Sequence, residues 1–312
     1  MRRSWIQRAR SILGLALVGV CIGLLWRELS RTDLAQAVAA MQRVSAGRLA
    51  AAAGITALGH LLIVGYDLLG LRYIRQPMGL RRTLLAGFIG NAVSNVVSLP
   101  FIGIAGIRAY FYSGWGVRPA DLLRLIAFIG VTAWVGLLAT TGAAMAAYPL
   151  DVPMLAAAPL QRALGALMLA AVAGCVALGA WRSELNVFRW HIRLPSPAMA
   201  VGQVLVGAAE WLTLSTILYT LTPAAARLPV GEFFCGALLV LMLAMLGPTP
   251  AGLGVLDAGF LLVFSRSIDR PELVGTLTLL RLIYHLPPLA LATALLGGYE
   301  LWQRTRPTRR SS

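Results

Sequence analysis

Long apolar runs alternate with short arginine-bearing segments along the whole chain, and the runs set the number of elements. Those at about 11–27, 49–72, 120–147, 159–181, 198–221 and 273–298 are each long enough to cross ~30 Å of hydrocarbon, which takes ~20 helical residues. Two more apolar regions, 83–117 and 231–267, are split by glycine-proline breaks. The breaks are Leu99-Pro100-Phe101-Ile102-Gly103 and Gly247-Pro248-Thr249-Pro250-Ala251-Gly252-Leu253-Gly254. Beyond them only Ile107–Val117 and Val255–Ser267 remain, ~16–20 Å of helix and too short for a second crossing. Both regions are expected to be re-entrant hairpins, which need a protein-enclosed cavity around the irregular turn. The pattern predicts an all-α integral membrane protein, a polytopic bundle of about six full spans and two broken hairpins. Between the first two spans, Leu34, Ala37, Val38, Met41 and Val44 fall at helical spacing, as in a short interfacial helix.

The elements recur in order: helix, helix with an internal acid, broken hairpin, helix. Half-repeats of about 1–150 and 151–303 follow, with a basic tail at 304–312. Asp67 occupies the place of Glu210, and the Pro100 break that of Pro250. After each hairpin an Arg-Pro pair opens the next helix, Arg118-Pro119-Ala120-Asp121 and Arg270-Pro271-Glu272. Each half crosses three times, so the halves must be inverted relative to one another, as in many transporters.

Composition sharpens this picture. Hydrophobic residues make up 58% and charged ones 12% of 312 residues, which excludes a soluble domain. Every basic residue is arginine. With the N-terminus inside and both hairpins returning to their side of entry, 18 arginines are cytoplasmic and 8 are on the other side, so both termini are expected in the cytoplasm. The arginines lie singly or in pairs and form no patch for nucleic acid, despite a net charge of +15. Cys21, Cys175 and Cys235 are scattered among apolar segments and suit the core. The N-terminal arginines and Ile12–Trp26 lack a small-residue cleavage site, so an uncleaved first helix is expected.

Asp67, Arg108, Glu210, Asp257 and Arg281 sit inside apolar stretches, where each charge costs at least ~2.5–3.5 kcal/mol near mid-bilayer. Asn91, Ser94, Asn95 and Ser98 add a polar stripe. His60 and Asp67 are two helical turns apart, as are Gln203 and Glu210, while Arg281 and His285 are one turn apart before Pro287-Pro288. His60, Asn91, Asn95, Gln203 and His285 are the candidate cavity lining. Pro100, Gly103, Gly106, Pro250, Gly252 and Gly254 are the candidate hairpin turns, whose helix ends could hold an anionic headgroup. Two readings of the charges stand: a substrate site, or structural pairs such as Arg281 with Glu210 or Asp257. No HExxH, P-loop, GxSxG or acidic metal pair occurs, so neither catalysis, metal nor cofactor is expected.

Pro248-Thr-Pro-Ala-Gly-Leu-Gly-Val-Leu-Asp257 resembles the glycine-rich acid motif of the lysylphosphatidylglycerol synthase transmembrane-region family, which includes the flippase domain of the multiple peptide resistance factor and single-domain YbhN-like members. Pro100-Phe-Ile-Gly-Ile-Ala-Gly-Ile-Arg108, followed by Gly114-Trp-Gly116, is similar to that family's first-half turn and arginine. Ala251 and Ala105 stand where the family more usually has glycine. The resemblance extends over nearly the whole chain. It implies that Asp67, Arg108, Glu210 and Asp257 serve lipid translocation in a bacterial cytoplasmic membrane. The chain ends at Ser312 without the family's synthase domain, so aminoacyl transfer is not expected. The function expected is a flippase-like transporter of a polar lipid, with membrane lipids as partners and a homodimer or a lipid-synthesis enzyme as protein partners. A lipid-modifying membrane enzyme and a non-transporting accessory of envelope lipid biogenesis are the alternatives.

Overall fold

The computed structural model describes residues 2–31, 34–96, 100–152, 157–182, 184–187, 190–246 and 254–305. Thirteen α-helices are described among them. The first, α1 (Arg2–Arg31), leads to the short α2 (Leu34–Arg43), then α3 (Ala46–Ile63) and α4 (Gly65–Tyr73) form one interrupted span. The first hairpin is α5 (Leu80–Ser94) with α6 (Pro100–Gly114), followed by α7 (Pro119–Ala147) and α8 (Ala158–Trp181). Next come α9 (Pro197–Leu221), the second hairpin of α10 (Val230–Leu246) and α11 (Val255–Phe264), and a last span built from α12 (Arg270–Leu280), a π-helical turn at Arg281–His285 and α13 (Leu286–Thr305).

Among the described residues, six stretches are long and apolar enough to cross a membrane: Ile12–Ser30, Ala46–Tyr73, Pro119–Ala147, Ala158–Trp181, Pro197–Leu221 and Arg270–Thr305. They coincide with the six runs of the hydropathy pattern, so the chain is a multi-pass membrane protein. The hairpin arms are shorter. At ~1.5 Å per residue, the 15-residue α5 and α6 reach ~22 Å, and the 10-residue α11 only ~15 Å.

Each hairpin packs its own two arms together and sends its entering arm to the far half of the chain. α5 lies on α13, whereas α10 lies on α7. The peripheral spans are exchanged in the same way, α1 against α13 and α8 against α7, while α3 and α9 pair across the middle. Small residues allow the closest approach: a Cβ on Gly136 of α7 would stand 2.2 Å from the Gly207 backbone of α9. Backbone-to-backbone packing of this kind is how transmembrane helices associate without a hydrophobic driving force.

Loops expected at the same face do meet. Tyr73 Oη donates to the Arg193 carbonyl (2.5 Å) and Gln76 Nε2 to Asp121 Oδ2 (2.9 Å), while at the other end the Ala224 N–H donates to Glu272 Oε1 (2.7 Å). Two details depart from the sequence pattern. Residues of the 182–193 loop form an antiparallel pair, β1 (Glu184–Val187) and β2 (Trp190–Arg193), with Glu184 opposite Arg193. On α2, Ala40 packs inward against Gly275 of α12, and Val44 is buried just past the helix end, whereas Val38 and Met41 are exposed.

Candidate functional site

The span containing Asp67 is interrupted at Val64, so the acid falls in the first turn of α4. Arg108, halfway along α6, grips it with two prongs: Nε donates to Oδ1 at 2.9 Å and Nη2 to Oδ2 at 2.7 Å. Nη2 also donates to Asn91 Oδ1 (2.8 Å), and Tyr112, one turn beyond Arg108, donates to Asp67 Oδ1 (2.7 Å). Both ionised side chains are 0% exposed. Space for them comes from the first hairpin, because a Cβ on Gly87 would stand 3.0 Å from Asp67 Oδ2, and one on Gly90 2.9 Å from Arg108 Nη1.

The second pair is built differently. Gly254, at φ +86°, turns the chain into α11 and places Asp257 in its first turn, where Oδ2 accepts the Gly254 N–H (3.1 Å). Arg281 Nη2 donates to both Asp257 oxygens, at 2.7 and 2.6 Å. The side chains of Arg281 and Asp257 are 21% and 30% exposed. Arg281 opens the π-helical turn, in which the Leu286 N–H reaches back to the Arg281 carbonyl. Pro287 and Pro288 have no N–H to offer Ile283 and Tyr284, and the widened turn accommodates that loss.

Between the pairs lies a polar belt. Glu210, on α9, accepts a hydrogen bond from Tyr66 Oη and is only partly covered. Asn95 Nδ2 donates to Tyr284 Oη (3.3 Å), which links the first hairpin to the last span. His60 is 2% exposed, lies 5.1 Å ring to ring from Tyr284 and donates Nδ1–H to the Thr56 carbonyl (2.9 Å), which can only accept. Its Nε2 is buried without a partner among the described residues, as is Nδ1 of His285.

The structure therefore gathers Asp67, Arg108, Glu210, Asp257, Arg281, His60, Asn91, Asn95 and His285 into one belt crossing both halves. Gln203 is held elsewhere: 4% exposed, it donates to Thr132 Oγ1 (2.8 Å) in the seam between α7 and α9. Ser94 turns back to the Gly90 carbonyl (2.5 Å). Pro100 is the first residue of α6, and Gly103 and Gly106 lie inside that helix, not in the turn. Proline suits the first helical position, so the turn falls before it. Ser98, Pro250 and Gly252 lie outside the described residues.

Three tyrosines, Tyr66, Tyr112 and Tyr284, belong to the belt and went unrecognised in the sequence. Each adjoins a flagged residue or sits one turn from it, Tyr66 and Tyr284 inside spans and Tyr112 near the end of α6. Gly87 and Gly90 were also missed, since a glycine inside a membrane helix does not announce what it makes room for.

The chain is similar to two curated proteins. It is 29% identical over 307 residues to the uncharacterized protein slr0712 of Synechocystis sp., covering 97% of this chain and 95% of that one. It is 27% identical over 251 residues to the inner membrane protein YbhN of Escherichia coli, covering 78% of this chain and 77% of that one. No protein-family profile matches the chain, that of the lysylphosphatidylglycerol synthase region included. The similarities support a YbhN-like membrane family.

Proposed function

We propose that the protein is a flippase-like transporter, moving a polar lipid between the leaflets of a bacterial inner membrane with both termini in the cytoplasm. The single observation behind this is the polar belt: two guanidinium–carboxylate pairs at interrupted helices, one sealed and one open, joined through Glu210 inside a six-span bundle. A lipid-facing helix would not keep such charges, and a half-open pair offers a headgroup phosphate both a guanidinium and the N-terminus of α11. The headgroup would enter at Arg281 while the acyl chains stay in the bilayer. Arg108, held by Asp67, would be reached only after the first hairpin moves. The reaction class proposed is transport, with no bond made or broken in the lipid. Membrane lipids are the proposed partners, alongside a second copy of the chain or a lipid-synthesis enzyme. The similarity to an inner membrane protein supports the proposed location.

The test uses purified protein in vesicles carrying a fluorescent phospholipid in one leaflet. Wild-type protein should speed its appearance in the other leaflet, and Arg281→Gln and Asp257→Asn should abolish that while remaining folded. Unchanged redistribution in both variants, or release of a lipid product that either variant abolishes, would overturn transport as the function.

A further inference from the structure

We propose that Glu210 is a proton-binding site, and that the proton it takes up and releases drives the lipid step; the second clause rests on the transport function proposed above. The starting point is a charge inventory. The belt holds three carboxylates, Asp67, Glu210 and Asp257, against two guanidinium groups, Arg108 and Arg281. Arg108 is turned to Asp67 and Arg281 to Asp257, so each of those acids has a cation. Glu210 is the odd one. Its hydrogen-bond partner among the described residues is the neutral hydroxyl of Tyr66. A lone carboxylate inside a membrane bundle is expensive, and one proton cancels its charge without disturbing either ion pair.

Glu210 keeps part of its surface uncovered by the rest of the protein, unlike the sealed Asp67. Tyr284 lies within electrostatic reach of Glu210 and its ring meets that of His60 at a tilt of 55°. The Thr56 carbonyl fixes the proton of His60 on Nδ1, which leaves a buried lone pair on Nε2 with no donor. Proton uptake turns the Glu210 carboxylate into a carboxylic acid, whose new O–H can donate to Tyr66; release returns the proton to water or to the His60 lone pair. The groups that act on or are acted on by Glu210 are Tyr66 from α4, Arg108 from α6 and Tyr284 from the π-helical turn. Of these, Tyr66 and the Arg108 charge act on it directly. No other ionised group among the described residues of the helices packed on α9 acts on it.

Infrared difference spectra of the protein in bilayers between about pH 8 and pH 5 read the site without lipid transport. Wild-type protein should gain a protonated-carboxyl band that Glu210→Gln lacks, that Asp257→Asn keeps, and that Tyr66→Phe shifts in frequency. If Glu210→Gln fails to fold, Glu210→Asp should move the band. A wild-type spectrum without the band, or a band unchanged by every Glu210 substitution, would sink the proposal. A pH gradient across the vesicle should bias the leaflet distribution of lipid by up to about tenfold per pH unit, the factor one proton carries. Redistribution indifferent to the gradient removes the coupling. A Glu210-dependent band with no lipid movement under any condition removes the transport function and leaves the proton site standing.

Discussion

The two ion pairs of the belt use the same chemistry in opposite settings. Asp67–Arg108 is bidentate, reinforced by Asn91 and Tyr112, and shut away from solvent. Asp257–Arg281 involves one guanidinium nitrogen, leans on a helix end and stays partly open. Under the transport function proposed above, a sealed pair and an open pair would correspond to one state of a two-sided carrier, with one side closed and the other accessible. The contrast also separates two roles that composition alone leaves merged. A buried pair acts as a staple whose loss strands a charge, and an exposed pair can trade partners.

The sharpest way to break the comparison is to remove one member of the sealed pair. Asp67→Asn or Arg108→Gln should cost about 3–5 kcal/mol, seen as a large fall in melting temperature, and the double substitution should recover part of it. Equal melting for the single variants and wild type would mean the first pair is as wet as the second. Next in size, Gly90→Ala presses a methyl on Arg108, and Gly136→Ala presses one on the α9 backbone. Each should lose about 1–3 kcal/mol by overpacking, and Gly136→Ala the more because backbone cannot yield.

In the open pair, Asp257→Asn and Arg281→Gln should change stability by no more than about 1 kcal/mol and yet abolish lipid redistribution. A melting drop as large as that of Asp67→Asn would erase the distinction between the pairs. Smallest of all, Gln203→Ala should lose about 0.6 kcal/mol, the worth of one interhelical hydrogen bond, with transport intact. Lost transport in that variant would return Gln203 to the belt.

Much of this was legible in the chain. Hydropathy located all six long spans, because a bilayer imposes length and apolarity on every crossing. The glycine-proline breaks located both hairpins, though Pro100 proved to begin a helix and moved the first turn ahead of it. The identity of the charged residues was also plain, since nothing else in an apolar run stands out as strongly. Their pairing was not. Arg281 could have met Glu210 or Asp257, and the choice depends on the rotation of α9 and α11 about their axes, which no local pattern records. The interruptions at Val64 and at Arg281–His285 were equally hidden, one marked by nothing more than the single Gly65 and the other displaced upstream of Pro287. The 184–193 strand pair was masked by its arginines and tryptophan, which read as loop.

Asp257 also caps the helix that carries it, and this alters the thermodynamics of exchange at the open pair. When a phosphate draws Arg281 away, the carboxylate keeps the Gly254 N–H and the positive end of α11, about half an elementary charge. Its counter-charge is therefore never wholly withdrawn, and a competing anion has to outbid only the difference between a guanidinium and a helix end. Asp67 also lies in a first helical turn, that of α4, yet among the described residues its carboxylate would keep only the neutral hydroxyl of Tyr112 and no backbone N–H. In the proposed transport, ligand exchange would accordingly be graded at the open site and close to all-or-none at the sealed one.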